Sequence, residues 1–154
     1  MWLADAKLTG MSGFLTREIR ENGRRVGFEI LGLAGKRYTL AHRDVVSDKR
    51  VGKYGVNVDA VDNIVKEELN NPHTQIVIID EIGKMELLSE NFRIAVSKIW
   101  QSDLPVVATI MKTSNDFCNN LKEAENTTVV EIRQDNRKSV FDTIRNFAAV
   151  FFVQ

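Results

Sequence analysis

The chain has 154 residues, 44% of them hydrophobic and 27% charged, with only 2 Pro and 9 Gly, which excludes a disordered or low-complexity chain and fits a single domain over residues 1–154. Its 21 Lys and Arg balance its 21 Asp and Glu, so nonspecific nucleic-acid binding is disfavoured, although residues 1–55 hold 11 basic against 6 acidic groups and are suited to face something anionic. No apolar run reaches the roughly 20 residues of a membrane span and no signal-peptide core opens the chain, so a cytoplasmic protein without a membrane partner is expected.

Trp2, Leu3, Ala6 and Lys7 form a short helix-compatible run with no cap before it, which predicts the tail of a helix over residues 1–9. From Gly13 to Leu40 the pattern changes to strands. Phe14 to Ile19 leads into Asn22-Gly23, the pair best suited to a tight hairpin turn with positive φ, and Val26 to Leu33 returns. Ala34-Gly35 turns again into Arg37 to Leu40, giving a three-stranded antiparallel meander. Residues 42–57 are polar and turn-rich and read as an ordered loop carrying Arg50-Val51-Gly52-Lys53-Tyr54-Gly55.

Val58, Val61, Ile64, Val65 and Leu69 recur at helical spacing until Asn70-Asn71-Pro72 stops them, which predicts one amphipathic helix. Ile76 to Ile79 and Val106 to Ile110 are continuous apolar runs, and Val129 to Ile132 is a weaker third; such runs suit parallel strands buried on both faces. Helices follow them: Phe92, Ala95, Val96, Ile99 and Trp100 form a stripe capped by Ser89, Asp116 to Glu123 forms a weaker helix around Cys118, and Val140 to Phe151 forms a Phe-rich helix read as core. Cys118 is the only cysteine and lies far in sequence from His42 and His73, so neither a disulfide nor a zinc site is expected. The alternation predicts an α/β fold with a mostly parallel sheet, flanking helices and an early antiparallel meander, in which ligands collect at the carboxyl ends of strands.

Four apolar residues run straight into Asp80-Glu81. A buried strand that projects Asp80 toward a magnesium ion, with Glu81 next to it to orient or deprotonate a water, suits phosphate transfer. Two acids that merely cap a core strand at the solvent boundary give the same pattern. Thr109 ends the next strand, where a hydroxyl is placed to sense a γ-phosphate or hold a catalytic water, or is simply a β-branched strand residue. Arg50 offers a charge-assisted fork to phosphate or is a solvated loop arginine. Asn136 and Arg137 open the last helix, either near a nucleotide base or as an ordinary polar first turn. The Arg24-Arg25 and Lys36-Arg37 pairs flank the hairpin turns without the interleaved aromatics of a nucleic-acid platform, Tyr38 apart.

Gly13 to Arg20, Gly23 to Phe28, Arg50 to Tyr54 and, most specifically, Asp80-Glu81-Ile82-Gly83-Lys84-Met85-Glu86-Leu87 resemble the THEP-type nucleoside triphosphatases, P-loop proteins that include the cancer-related nucleoside triphosphatases of vertebrates. The resemblance covers nearly the whole chain from Gly13 onward. It implies a P-loop fold and Mg2+-dependent hydrolysis of ATP, GTP and other nucleoside triphosphates to the diphosphate and phosphate. By that resemblance Asp80 matches the Walker B aspartate on the metal side and Glu81 the residue that activates water. Asn136 and Arg137 match base or ribose contacts, with Asp135 where Glu is usual.

Two positions depart from the family pattern. Arg17 stands where a Glu is usual, and no Gly-x-x-x-x-Gly-Lys-Ser/Thr occurs anywhere in the sequence. Family members begin with a strand, that loop and a helix, so the first strand and Walker A loop, roughly 20–30 residues, are expected to be missing. Their loss is expected to expose a pairing edge beside Ile76 to Ile79 and to leave the 154 residues alone weak or inactive in hydrolysis. The alternative is a noncatalytic relative acting as a binding or structural module.

Overall fold

Asn22 and Gly23 both take positive φ, 48° and 76°, the backbone of a two-residue hairpin turn matched to strand twist. They join β1 (Met11–Glu21) to β2 (Arg24–Gly32), and β3 (Arg37–His42) returns after a turn in which Gly35 has φ 100°. The meander read from the sequence is therefore present in the computed structural model, which describes residues 10–151. The helix tail expected over residues 1–9 lies outside the described residues. The segment expected to be a loop instead adds two short strands, β4 (Arg50–Val51) and β5 (Tyr54–Val56). Polar side chains hid them, because a strand of two or three residues needs only its backbone to pair, and β5 pairs with Ala41 and His42 of β3.

The first half of β1 belongs to a second pairing. Met11 to Leu15 lie parallel to Ile76 to Asp80 of β6 (Ile76–Ile82), and β6 in turn lies parallel to β7 (Val106–Ile110). The single sheet has the order β4-β5-β3-β2-β1-β6-β7. Gly13 lets β1 and β6 meet: it has φ 125°, and a Cβ there would lie 1.8 Å from the carbonyl oxygen of Ile78, so no side chain is admissible.

Both faces of β6 are covered, as its unbroken apolar run predicts. Val77 and Ile79 join Phe14, Ile30 and Leu40 in the main core under the helices, whereas Ile76 and Ile78 pack on the opposite face against Ala148 and Phe151. Helix α1 (Val58–Ile64), started by Asn57 accepting the Ala60 N–H, continues as a π-helical turn over Val65–Leu69 rather than as one regular helix. That wider turn buries Val65, Glu68 and Leu69 together. The Glu68 carboxylate then accepts the N–H groups of Gly13 at 3.3 Å and Ala34 at 2.8 Å, pinning the turn after β2 to the start of β1. Helix α2 (Glu90–Trp100) begins at Ser89, whose hydroxyl accepts the Phe92 N–H at 2.9 Å, and α3 (Asp116–Glu123) begins at Asn115.

Two expectations are corrected at the far edge. Ile76 to Ile79 are buried between β1 and β7, so among the described residues the sheet edge at this end is that of β7, not β6. Val129 to Ile132 form no strand, and Val129, Val130 and Ile132 are about half exposed. A strand exists only by pairing, and among the described residues β7 pairs with β6 alone. Helix α4 (Arg137–Ala149) is where its periodicity places it, yet Phe141 and Phe147 are 39% and 43% exposed and Ala148 is its only fully buried residue among those described. Its Phe stripe is thus amphipathic surface more than core. No helix among the described residues is long and apolar enough to cross a membrane.

Candidate active site

β6 carries Asp80 and Glu81 past the end of its regular ladder. The register with β7 shifts between Ile79 and Ile82, and the Asp80–Glu81 peptide bond is cis. Asp80 lies beside Leu15 of β1 on one side and β7 on the other. Thr109 donates its hydroxyl to Asp80 Oδ1 at 2.5 Å, which orients the carboxylate and leaves Oδ2 free to take a further partner. The two parallel strand ends read from the sequence as one site are thus joined by a hydrogen bond.

Past the acids the backbone is held at each step. Ile82 is fully buried and its carbonyl accepts the Met111 N–H at 3.1 Å. The Gly83 carbonyl accepts the Leu87 N–H at 3.1 Å, and the Gly83 N–H donates to Glu86 Oε2 at 3.2 Å. Glu86, 4% exposed, is not among the site residues that the sequence singles out. Its signal is the spacing Gly83-x-x-Glu86, in which a Glu three residues into a helical turn reaches back to the first N–H, as in half of a capping box.

The electrostatics follow from crowding three acids. Glu81 reaches solvent, yet partial burial and then the neighbouring Asp80 charge raise its pKa from the ordinary glutamate value. Glu86 is pushed up to about 7, chiefly by burial, with the charges of Glu81 and Asp80 adding to the rise and the N–H groups of Gly83 and Glu86 itself opposing it. A carboxylate made more basic is a better proton acceptor near neutrality.

Of the other residues singled out in the sequence, Arg50 is not brought to this end of the sheet, and among the described residues neither Asn136 nor Arg137 bonds to Asp80, Glu81 or Thr109. Arg50 lies on β4, five strand spacings from β6, about 24 Å along the sheet, and its guanidinium donates to the Lys53 carbonyl of its own turn. The Asn136 side chain is committed to its own loop, donating to the Glu131 carbonyl at 2.9 Å and accepting the Arg133 N–H at 2.7 Å. That loop is tied toward β7 by the Lys112–Glu131 ion pair at 2.8 Å. Arg137 opens α4 with its side chain exposed. Loop residues of this kind take their position from tertiary pairing, which local spacing does not encode.

Among the described residues no group of three His, Cys, Asp or Glu side chains is arranged to enclose a metal. The donor set at β6 is instead one oriented carboxylate oxygen beside a hydroxyl. Hard oxygen donors in this small number fit Mg2+, which keeps waters and shares substrate phosphates rather than entering an all-protein cage.

Residues 3–145 match the family model described as NTPase. Nucleoside-triphosphatase THEP1 of Thermotoga sp. (strain RQ2) is 42% identical over 139 residues, covering 89% of this chain and 80% of that protein. The chain belongs to the THEP1 nucleoside-triphosphatase family. THEP1 of Natranaerobius thermophilus is 44% identical over 131 residues, covering 82% of this chain and 74% of its own length. Among solved structures, THEP1 from Aquifex aeolicus superimposes with TM-score 0.72 at 29% identity, covering 93% of this chain and 84% of its own. A human cancer-related nucleoside triphosphatase does so with TM-score 0.74 at 27% identity, covering 90% and 81%. The mixed sheet with its parallel β1-β6-β7 core and flanking helices is therefore the α/β fold of the P-loop nucleoside triphosphatases. The family is one of enzymes, and its name gives nucleoside triphosphates as their substrates.

Proposed function

We propose that this chain hydrolyses nucleoside triphosphates, ATP and GTP among them, to the diphosphate and inorganic phosphate, with Mg2+ and the triphosphate bound at the carboxyl end of β6. The observation that carries this reading is the Thr109 to Asp80 hydrogen bond beside a Glu81 whose basicity is raised. Asp80 is the Walker B residue and offers Oδ2 to the metal, while Thr109 holds its other oxygen. When bound, Mg2+ supplies charge neutralisation on the phosphate oxygens. Glu81 takes a proton from the attacking water as the water oxygen bonds to the γ-phosphorus. The bond from that phosphorus to the β–γ bridging oxygen breaks, and the diphosphate leaves with the electron pair. Arg137 is retained as a base or ribose contact, and the 154 residues act as one unit in the cytoplasm.

The test is phosphate release from Mg-GTP by the product of the complete open reading frame that contains these residues. Asp80→Asn is expected to raise the Mg2+ concentration needed for half-maximal turnover by about 10-fold or more, as loss of a charged metal ligand should. An unchanged Mg2+ requirement would remove Asp80 from the metal side.

A second reading rests on the sequence itself, which contains no Gly-x-x-x-x-Gly-Lys-Ser/Thr stretch to cradle a β-phosphate. It makes these 154 residues a noncatalytic binding or structural module. It predicts neither phosphate release nor a thermal shift with Mg-ATP from the 154 residues, and magnesium-dependent turnover by them would exclude it.

A further inference from the structure

A glutamate buried to 4% exposure is costly unless its charge or its acceptor oxygens are used. Glu86 uses them on one atom group that matters for the site, the Gly83 N–H at 3.2 Å. Gly83 is two residues beyond Glu81. A Cβ built on it would lie 3.0 Å from Glu86 Oε2 and 3.1 Å from Glu81 Oε1, so both carboxyl groups approach the face of this glycine that a side chain would occupy. Of the contacts that hold the backbone after the acidic pair, those from Met111 and Leu87 are main-chain N–H groups that persist through any substitution at those positions other than Pro. Only the contact from Glu86 is made by a side chain.

We infer that Glu86 is a positioning residue for Glu81: by accepting the Gly83 N–H it fixes the turn that aims the Glu81 carboxylate at the attacking water. It is assigned no contact with substrate or metal; its hold on the Glu81 backbone runs through Gly83. This rests on the proposed role of Glu81 in hydrolysis, and it gives a use to an acceptor-bearing side chain at a buried position.

The test compares Glu86→Leu, which keeps volume and removes the acceptor, with Glu86→Gln, which keeps an acceptor oxygen of the same reach. In the product of the complete open reading frame, assayed well below the melting temperature, Glu86→Leu is expected to lower kcat by about 10- to 100-fold while KM for the triphosphate stays within about twofold. Glu86→Gln is expected to recover most of that loss. Independently of turnover, the Gly83 amide proton should exchange with solvent at least about tenfold faster in Glu86→Leu than in the wild type or Glu86→Gln, with the amides of Val77 and Ile79 in β6 unchanged. Should Glu86→Leu fail to fold, Glu86→Met takes its place.

Unchanged kcat in the folded apolar variant, equal loss in Glu86→Gln, a loss carried by KM, or unaltered Gly83 exchange would each overturn the inference. If Glu81→Gln leaves turnover intact, the reading of Glu81 itself has failed. If Glu81→Gln abolishes turnover and the apolar variant of Glu86 does not, only the positioning role has failed.

Discussion

Glu86 makes a prediction that needs no substrate. Its carboxyl titrates at 4.5 when exposed and at about 7 in the folded chain, mainly because burial penalises the charge. Below pH 4.5 both states hold the proton. Between pH 4.5 and pH 7 only the folded state does, so the folded state binds more protons and stability falls as pH rises; above pH 7 the loss is complete. At 1.36 kcal/mol per pH unit the whole interval is worth about 3 kcal/mol, of which about 2.5 kcal/mol falls between pH 5 and pH 8. Glu86→Gln abolishes this titration while retaining an acceptor for the Gly83 N–H. Urea unfolding followed by circular dichroism at pH 5, 6, 7 and 8 gives the difference in stability between wild type and variant at each pH, which cancels the groups they share. That difference should move in favour of the variant by about 2 to 3 kcal/mol across the range. A difference that stays constant with pH, or that moves in favour of the wild type, would refute the argument that burial holds this carboxyl neutral.

Three further outcomes follow from single contacts. Thr109→Val removes the hydroxyl that orients Asp80; because the residue is exposed, unfolding stability should change by less than about 1 kcal/mol, while the Mg2+ needed for half-maximal phosphate release rises several-fold. Gly13→Ala drives a Cβ to 1.8 Å from the Ile78 carbonyl oxygen at a φ of 125°, so a loss of about 3 kcal/mol or more is expected in urea midpoints, or no soluble protein at all. Ser89→Ala removes both the cap on the Phe92 N–H and the hydrogen bond to Asp62 at 2.5 Å, and a loss of about 1 to 2 kcal/mol is expected by thermal or urea unfolding.

What could be read from residues alone was local. Asn22-Gly23 encodes its hairpin because few other pairs accept two positive φ values, and Ser89 marks its helix start through the side-chain oxygen that caps it. The unbroken run before Asp80 encodes a strand covered on both faces, and it carries the acids to the end where β7 brings Thr109. What failed depended on partners distant in sequence. Val129 to Ile132 has strand composition, yet with no neighbour to pair it remains exposed. Arg50 has the right chemistry for phosphate, but the sheet order carries it to the opposite edge. Glu86 was hidden for a different reason: the spacing Gly83-x-x-Glu86 marks a capping contact, but a glutamate in a turn gives no sign that it will be buried.

The proposed hydrolysis depends on Glu81 as the base that activates water. The most direct measurement is steady-state phosphate release from Mg-GTP by wild type and Glu81→Gln made from the complete open reading frame, with nucleotide affinity measured on the same preparations. A fall in kcat of about 100-fold or more, at unchanged nucleotide affinity, is the predicted result; turnover equal to that of the wild type would contradict it.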